Sequence, residues 1–84
     1  MTPAPEMADI LAEVAASHRL SVRELRGPGR HRYVAWPRQE AMWRLRTTGR
    51  YSLPQIGAFL GGRDHTTVIK GIRAYERRMS GGTR

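Results

Sequence analysis

Hydrophobic residues recur at helical spacing near the start of the chain. Between Glu6 and His18 the apolar positions are Met7, Ile10, Leu11, Val14 and Ala15. Such spacing places the apolar side chains on one face of a helix and leaves the other face polar. We therefore predict a first helix here. Ser21 and Glu24 have the spacing of a capping box, which predicts a second, short helix ending near Gly27.

The next predicted helix follows a break in the chain. Residues 27–29 read Gly-Pro-Gly, a strong turn signal, and residues 30–32 form a basic loop. We predict a longer helix from Tyr33 to Thr48 that ends at Gly49. Its expected inner positions are Val34, Ala41, Met42 and Leu45. Pro37 is expected in the first turn or just before it, because a proline deeper in a helix removes a backbone hydrogen bond.

Two further helices are predicted in the last third of the chain. Ser52 and Gln55 form a second capping box, and the flanking residues 51 and 56 have the spacing of a hydrophobic staple. The short helix that follows is expected to end at Gly61-Gly62. Its predicted inner residues are Ile56, Phe59 and Leu60. The last helix is expected to be capped by Asp64 and to run to about Met79.

The last predicted helix has two distinct faces. Its predicted inner face comprises Val68, Ile69, Ile72, Tyr75 and Met79. Its predicted outer face comprises Thr66, Lys70, Arg73 and Arg77. Two helices joined by a tight glycine turn are a helix-turn-helix candidate, in which the second helix reads DNA. We predict an all-α fold of about five helices, one domain over residues 6–79, and disordered tails at 1–5 and 80–84.

Charge is unevenly distributed along the chain. Of 84 residues, 15 are Lys or Arg and seven are Asp or Glu, a formal net charge of +8. Residues 1–25 carry a net charge of −2, whereas residues 26–84 carry +10. A strongly basic segment beside a slightly acidic one is typical of a protein that binds a polyanion. All but one of the basic residues are arginine, which binds phosphate or guanine in a bidentate manner.

Several other classes of function are disfavoured by the sequence. There is no cysteine, and the three histidines lack metal-ligand spacing, so no metal or other cofactor is expected. Adjacent Asp64 and His65 at a helix start do not make a catalytic relay, and we expect no enzyme activity. No apolar run is long enough to span a membrane, and no secretory signal precedes the first helix, so we expect a cytoplasmic, nucleoid-associated protein.

Two longer motifs resemble a known family. The runs at 52–57 (Ser-Leu-Pro-Gln-Ile-Gly) and 61–68 (Gly-Gly-Arg-Asp-His-Thr-Thr-Val) closely resemble the C-terminal DNA-binding domain of the bacterial replication initiator DnaA. The arginine-rich pattern at 30–42 is also similar to that family's basic loop and following helix. The resemblance covers about residues 7–76 and implies a Trp-repressor-like helix-turn-helix that binds short A/T-containing boxes of double-stranded DNA as a monomer.

The resemblance also implies a role for individual residues. Asp64, His65 and Thr66 are expected to contact bases in the major groove, and Arg30 is expected to enter the adjacent minor groove. Backbone contacts are expected from Arg32, Arg38, Gln39, Arg46, Leu53, Pro54, Arg63 and Thr67. Lys70, on the outer face of the same helix, is added to the backbone set. A single arginine in a narrow A/T minor groove fits this combination physically.

The sequence departs from the family pattern at three points. Residues 27–29 replace a run of basic residues, which is expected to weaken binding and flatten its salt dependence. Trp36 replaces an arginine; it either stacks on a sugar or packs inside. An aromatic platform for single-stranded nucleic acid, formed with Trp43, is the less favoured interpretation. The chain also has no G-x-x-x-x-G-K-[ST] phosphate loop, so the ATPase of an initiator is not part of this sequence.

Two questions of function stay open at this point. The preferred interpretation is sequence-specific DNA binding, either as a small transcription regulator or antagonist at initiator boxes or as one domain of an initiator. The alternative is a protein-interaction module that docks a partner through the acidic first helix, which carries Glu6, Asp9 and Glu13. A basic amphipathic helix at a lipid surface is disfavoured, since the apolar face of the last helix is needed for the core.

Overall fold

The computed structural model describes residues 5–81 and contains five α-helices. They are α1 (Pro5–Ser17), α2 (Val22–Arg26), α3 (Arg32–Thr47), α4 (Leu53–Phe59) and α5 (His65–Met79). No β-strand occurs within these residues, so the predicted all-α fold of five helices is confirmed. Pro5 opens α1 and Ser80 is the C-cap of α5. The rest of the two predicted tails, 1–4 and 82–84, lies outside the described residues.

Both predicted capping boxes are present. The Ser21 hydroxyl accepts a bond from the Glu24 amide at 3.0 Å, and the Glu24 carboxylate accepts one from the Ser21 amide at 2.9 Å. Ser52 and Gln55 make the same reciprocal pair at 3.2 and 2.7 Å. Each box satisfies two amide groups that have no partner inside their own helix. Short helices such as α2 and α4 depend on these capping bonds because they contain few backbone hydrogen bonds of their own.

Pro37 occupies a different place in α3 from the one predicted. The helix begins at Arg32, with His31 as its N-cap, so Pro37 is its sixth residue rather than part of its first turn. The ring is buried, and without an N–H it cannot donate to the carbonyl of Tyr33. The helix continues nonetheless, because its inner face is anchored on both sides of the proline by Val34 and Ala41, which are both buried.

The hydrophobic core surrounds α3. Its fully buried side chains come from all five helices or their ends: Leu11, Val14, Leu25, Leu45, Ile56, Leu60 and Val68. Burial of a side chain of this size contributes about 1.5–3 kcal/mol relative to its exposure to water. Tyr51 and Ile56, the predicted staple pair, are both buried. The core therefore fixes the helix-turn-helix against α1 and α3.

The inner face of α5 differs from the prediction at its end. Met79 is 65% exposed and does not belong to the core. Gly71 is buried instead, and a β-carbon at this position would lie 2.5 Å from the Met42 sulfur. The two helices α3 and α5 approach closely at this glycine. The predicted outer residues Thr66, Lys70, Arg73 and Arg77 are all exposed, as expected.

Polar contacts connect α1 with the segment that leads into α4. The Glu6 carboxylate accepts bonds from the Tyr51 hydroxyl at 2.6 Å and from Arg50 at 2.9 Å. The hydrogen bond from Tyr51, followed by the charge of Arg50, lowers the pKa of Glu6 below its usual range. Arg44 of α3 bonds to Glu13 of α1 at 2.6 Å. The acidic face of α1 is thus partly occupied by basic residues of the same chain.

Gly57 provides a test of the close packing within the helix-turn-helix. Its carbonyl accepts a bond from the Arg63 amide at 2.8 Å, and a β-carbon here would collide with the Arg63 carbonyl oxygen, a backbone atom. We expect Gly57→Ala to lower the free energy of unfolding by about 2 kcal/mol or more, measured by urea denaturation.

Gly71→Ala is the matched control for this substitution. Its main obstacle is the flexible end of Met42, and alanine gains about 1 kcal/mol in helix propensity over glycine. We expect a smaller change, within about 1 kcal/mol of the unsubstituted protein. Equal losses for the two variants would contradict the backbone collision at Gly57.

Candidate nucleic-acid interface

The start of α5 is a capped and exposed helix N-terminus. The Asp64 carboxylate accepts a bond from the Thr66 amide at 2.8 Å, which makes Asp64 the N-cap, as predicted. Hydrogen bonds from Thr66 to this carboxylate lower the pKa of Asp64, so it is ionised at neutral pH. The next three side chains, His65, Thr66 and Thr67, are exposed. Exposed hydroxyls, an imidazole and a carboxylate are the groups that read base edges and bind phosphate.

The turn before α5 brings this terminus to the surface. Gly61 and Gly62 both have positive φ angles, 82° and 77°, a conformation that residues with a β-carbon rarely adopt. The Arg63 amide then bonds back to the carbonyl of Gly57. These features reverse the chain within a few residues between α4 and α5. The predicted glycine turn of the helix-turn-helix is therefore present.

Arg63 immediately precedes the residues predicted to contact bases, and its side chain is partly buried. One guanidinium nitrogen, Nη1, donates to the Leu60 carbonyl at 2.5 Å, and the other, Nη2, donates to the Gly27 carbonyl at 2.6 Å. Partial burial lowers the pKa of Arg63 from its usual value. The side chain joins the glycine turn to the segment before the basic loop.

Arg38 is the most buried of the predicted contact residues. It is only 6% exposed, and its guanidinium donates to four backbone carbonyl oxygens, of Glu24, Leu25, Gly27 and Gly29, at 2.7–3.3 Å. Burial is the main cause that lowers the pKa of Arg38 to about 10, and the positive charge of Arg63 is the second. Arg38 therefore remains charged at neutral pH. The sequence placed Arg38 at a phosphate. That contact stays a prediction, and the structure shows that carbonyls at and after the end of α2 accept hydrogen bonds from the Arg38 guanidinium, which has five N–H groups in all.

Arg30 lies near the start of the recognition helix. A concavity of about 500 Å³ is lined on one side by residues 26–30 and on the other by Gly61, Arg63 and Thr67. Arg30 is exposed at its edge. The structure therefore brings together the predicted minor-groove residue and the predicted major-groove helix, which are separated by more than thirty positions in the sequence.

A second basic groove runs between α3 and α5. It has a volume of about 360 Å³, and its polar lining residues are Arg38, Gln39, Arg63, Thr67, Lys70 and Arg77. Predicted backbone contacts from both helices thus share one surface. Arg77 was assigned to the outer face of its helix but not to the site. The seven-residue spacing from Lys70 was a signal for this role, because residues at that spacing lie on the same side of a helix.

Trp36 packs against arginines at the surface. It is 44% exposed, and the guanidinium groups of Arg78 and Arg32 lie 4.3 and 5.5 Å from its ring. Arg78 also donates to the side-chain oxygen of Gln39 at 2.6 Å. Of the two alternatives for Trp36, packing inside the core is therefore wrong. Trp43 is half-buried against Tyr75, with ring centres 5.3 Å apart.

The remaining predicted backbone contacts lie around the start of α4 and in the basic loop. Arg46 is exposed and donates to the Tyr51 carbonyl at 3.1 Å. Leu53 packs partly against the core, and Pro54 is exposed in the first turn of α4. Arg32, the first residue of α3, is also exposed.

A capped, exposed helix that follows a glycine turn and a shorter helix, beside basic grooves, defines the class of helix-turn-helix DNA-binding domains. The family model described as "Bacterial dnaA protein helix-turn-helix" matches residues 7–74, and the chain belongs to this family. The match includes all the residues predicted to contact DNA. The family expected from the motifs at 30–42, 52–57 and 61–68 is thereby confirmed.

Curated relatives carry the name chromosomal replication initiator protein DnaA. The chain is 47% identical to the protein of Thermomicrobium roseum over 75 residues, 89% of this chain and 16% of that protein. It is 52% identical to that of Roseiflexus castenholzii over 62 residues, 74% of this chain and 13% of the relative. The protein of Thermus thermophilus is 48% identical over 68 residues, 81% and 16% of the respective chains. The chain thus spans about a sixth of the length of these relatives.

Membrane-spanning segments were also sought in the structure. Among residues 5–81, no helix combines the length and the apolar character needed to cross a bilayer.

Substitutions at Asp64 test whether its side chain stabilises α5 as the N-cap. Alanine removes the oxygen that accepts the Thr66 amide, whereas asparagine keeps an oxygen in that position. We expect Asp64→Ala to lower the free energy of unfolding by about 1 kcal/mol and Asp64→Asn to lower it much less, measured by thermal or urea denaturation. If both variants lose the same stability, the carboxylate charge rather than the cap bond stabilises α5.

Proposed function

We propose that this domain binds double-stranded DNA sequence-specifically, with the start of α5 in the major groove and Arg30 in the adjacent minor groove. The supporting observation is that Arg30 and Thr67 line the same concavity. Two attachment points on one surface allow a single copy of the chain to read a short asymmetric site, so we propose binding as a monomer. The target would be a replication-initiator box or a related regulatory sequence, in keeping with the names of the relatives.

The base contacts follow from the chemistry at the helix start. Asp64 is ionised and exposed, and it can accept a hydrogen bond from the amino group of cytosine. His65 can donate to or accept from a base edge. Thr66 offers a hydroxyl and a methyl group, and the methyl group can pack on the methyl group of thymine. Arg30 supplies a positive charge to the minor groove, whose potential is most negative where A/T base pairs make it narrow.

The backbone contacts would surround this centre. Thr67, Lys70 and Gln39 share the groove between α3 and α5, and we add Arg77 to this set. Arg32, Arg46, Leu53 and Pro54 are proposed at phosphates on either side. Such contacts fix the register of the protein on the duplex without reading sequence. We propose a scaffolding role for Arg38 in this interface, since its N–H groups bond to backbone carbonyls.

This function concerns DNA recognition alone. The chain covers a minor part of the initiator relatives, and we propose for it their DNA-binding step and no catalytic one. Its place of action would be the cytoplasm, at the nucleoid. The alternative, partner docking through α1, has weaker support because Glu6 and Glu13 are paired with Arg50 and Arg44 of the same chain.

The recognition helix is tested by changing His65 and Thr66 to alanine together. Both side chains are exposed, so we expect the fold to be retained. The variant should lose preference for the best duplex, selected from a random pool, by about 10²-fold, because two base contacts worth about 1–3 kcal/mol each are removed. Residual binding to random duplex should remain, since backbone contacts provide it. Unchanged preference for the selected duplex would refute the assignment of this helix.

Arg30→Ala tests the minor-groove contact. We expect weaker binding that is concentrated at A/T positions of the selected site, measured by competition with duplexes carrying single base-pair changes. Arg44→Ala is the charge-matched control, because Arg44 pairs with Glu13 and lies in neither basic groove. A uniform loss across all sequences with Arg30→Ala would identify a phosphate contact instead.

A further inference from the structure

We propose that Arg63 is a positioning residue for DNA specificity: it joins the segment that leads into the basic loop to the start of the recognition helix, so that the contacts in the two grooves are made in one fixed register. This inference rests on the proposed DNA binding and deepens it. The structural basis is a pair of arginines, Arg38 and Arg63, whose guanidinium groups converge on the carbonyl oxygen of Gly27. We refer to this arrangement as the Gly27 clamp.

The clamp begins with the unsatisfied end of α2. The last carbonyl groups of a helix have no partner within it and must find donors elsewhere. Here the donors come from other helices: Arg38 bonds to Leu25 at 2.7 Å and to Glu24 at 3.3 Å. The two arginines then both donate to the Gly27 carbonyl, at 3.0 Å from Arg38 and 2.6 Å from Arg63.

The clamped carbonyls lie directly beside the residue that would enter the minor groove. Arg38 also donates to the Gly29 carbonyl at 2.9 Å, and Gly29 immediately precedes Arg30. Residues 27–29, Gly-Pro-Gly, would otherwise leave Arg30 on a conformationally free segment, because glycine restricts the backbone little. Holding this segment before DNA arrives reduces the entropy lost on binding, which improves affinity without a new contact.

Arg63 is the member of the clamp that reaches the recognition helix. It immediately precedes the N-cap Asp64, and its backbone amide is bonded to Gly57 of the helix-turn-helix. Its terminal nitrogens donate to the Leu60 carbonyl in the glycine turn and to the Arg26 and Gly27 carbonyls before the loop. A planar guanidinium can hold two acceptors in a fixed relation, whereas a lysine ammonium carries the same charge without this geometry.

This difference gives the distinguishing variant, Arg63→Lys. If Arg63 served the DNA backbone through its charge alone, lysine would substitute well, because lysine also binds phosphate. If Arg63 positions the loop, lysine keeps the charge but cannot hold the Leu60 carbonyl and the carbonyls of Arg26 and Gly27 together in the same geometry. Affinity for the selected duplex should then fall while the dependence on salt stays the same, since that dependence counts neutralised phosphates.

A double-mutant cycle tests the coupling between the two grooves. The four proteins are the unsubstituted chain, Arg63→Lys, Arg30→Ala and the double variant. The readout is the dissociation constant of each for the selected duplex at several salt concentrations. We expect Arg63→Lys to weaken binding about tenfold with an unchanged salt slope, and Arg30→Ala to cost much less in the Arg63→Lys protein than in the unsubstituted one. The proposal would be overturned if the losses of affinity in the two single variants simply multiplied in the double variant. It would also be overturned if Arg63→Lys bound the duplex as tightly as the unsubstituted protein.

A second measurement separates the clamp from DNA binding itself. Backbone amide relaxation by NMR, without DNA, should show faster motion at residues 29–31 in Arg63→Lys and unchanged order in the middle of α5. Arg44→Lys is the matched control and should leave the loop unaffected, since Arg44 bonds to Glu13. A loop that stays equally ordered would overturn the clamp. If the unsubstituted protein shows no sequence preference, the proposed function fails instead, and the relaxation data still decide whether the clamp holds the loop.

Discussion

Carbonyl groups at and after the C-terminal end of α2 accept hydrogen bonds from arginines of other elements. Leu25, the last residue but one of this short helix, is fully buried, which anchors the end of α2 on the core. A buried carbonyl without a partner costs about 1–3 kcal/mol. Arginines from α3 and from the turn before α5 remove this cost. These arginines also hold Gly27 and Gly29, in the segment that leads into the basic loop.

Local sequence signals predicted the helices well because the interactions that begin and end them are local. Ser21 with Glu24, and Ser52 with Gln55, bond across three residues, so their geometry can be inferred without knowledge of the fold. Pro37 and Met79 were misplaced for the opposite reason. Buried neighbours on α3 stabilise the helix around the proline, and the last residue of α5, Met79, is exposed although its spacing continues the apolar face.

The residues of the candidate interface also divide into those that local sequence signals predicted and those that depend on the tertiary structure. The exposed side chains of the recognition helix were predictable, since their spacing opposite an apolar face determines which way they point. The inward position of Arg38 was not predictable, because its acceptors come from residues nine to fourteen positions earlier in the sequence. In a basic chain, arginine is expected at the surface, and only the tertiary structure shows which arginines serve backbone carbonyls. The charge distribution and the two helices joined by a glycine turn already favoured DNA as the ligand, and the resemblance to the family added the expected role of individual residues.

Several arginines are bonded to groups of the same chain, and this affects the electrostatics of DNA binding. Arg38 and Arg63 are bonded to carbonyls, and Arg44 and Arg50 to carboxylates, so the number of cations available to displace ions from the duplex is well below the number in the sequence. The arginines bonded within the protein still contribute to the electrostatic field at long range, because that field sums every charge. Under the proposed function, more charges therefore act on the encounter with DNA than contact phosphates in the complex.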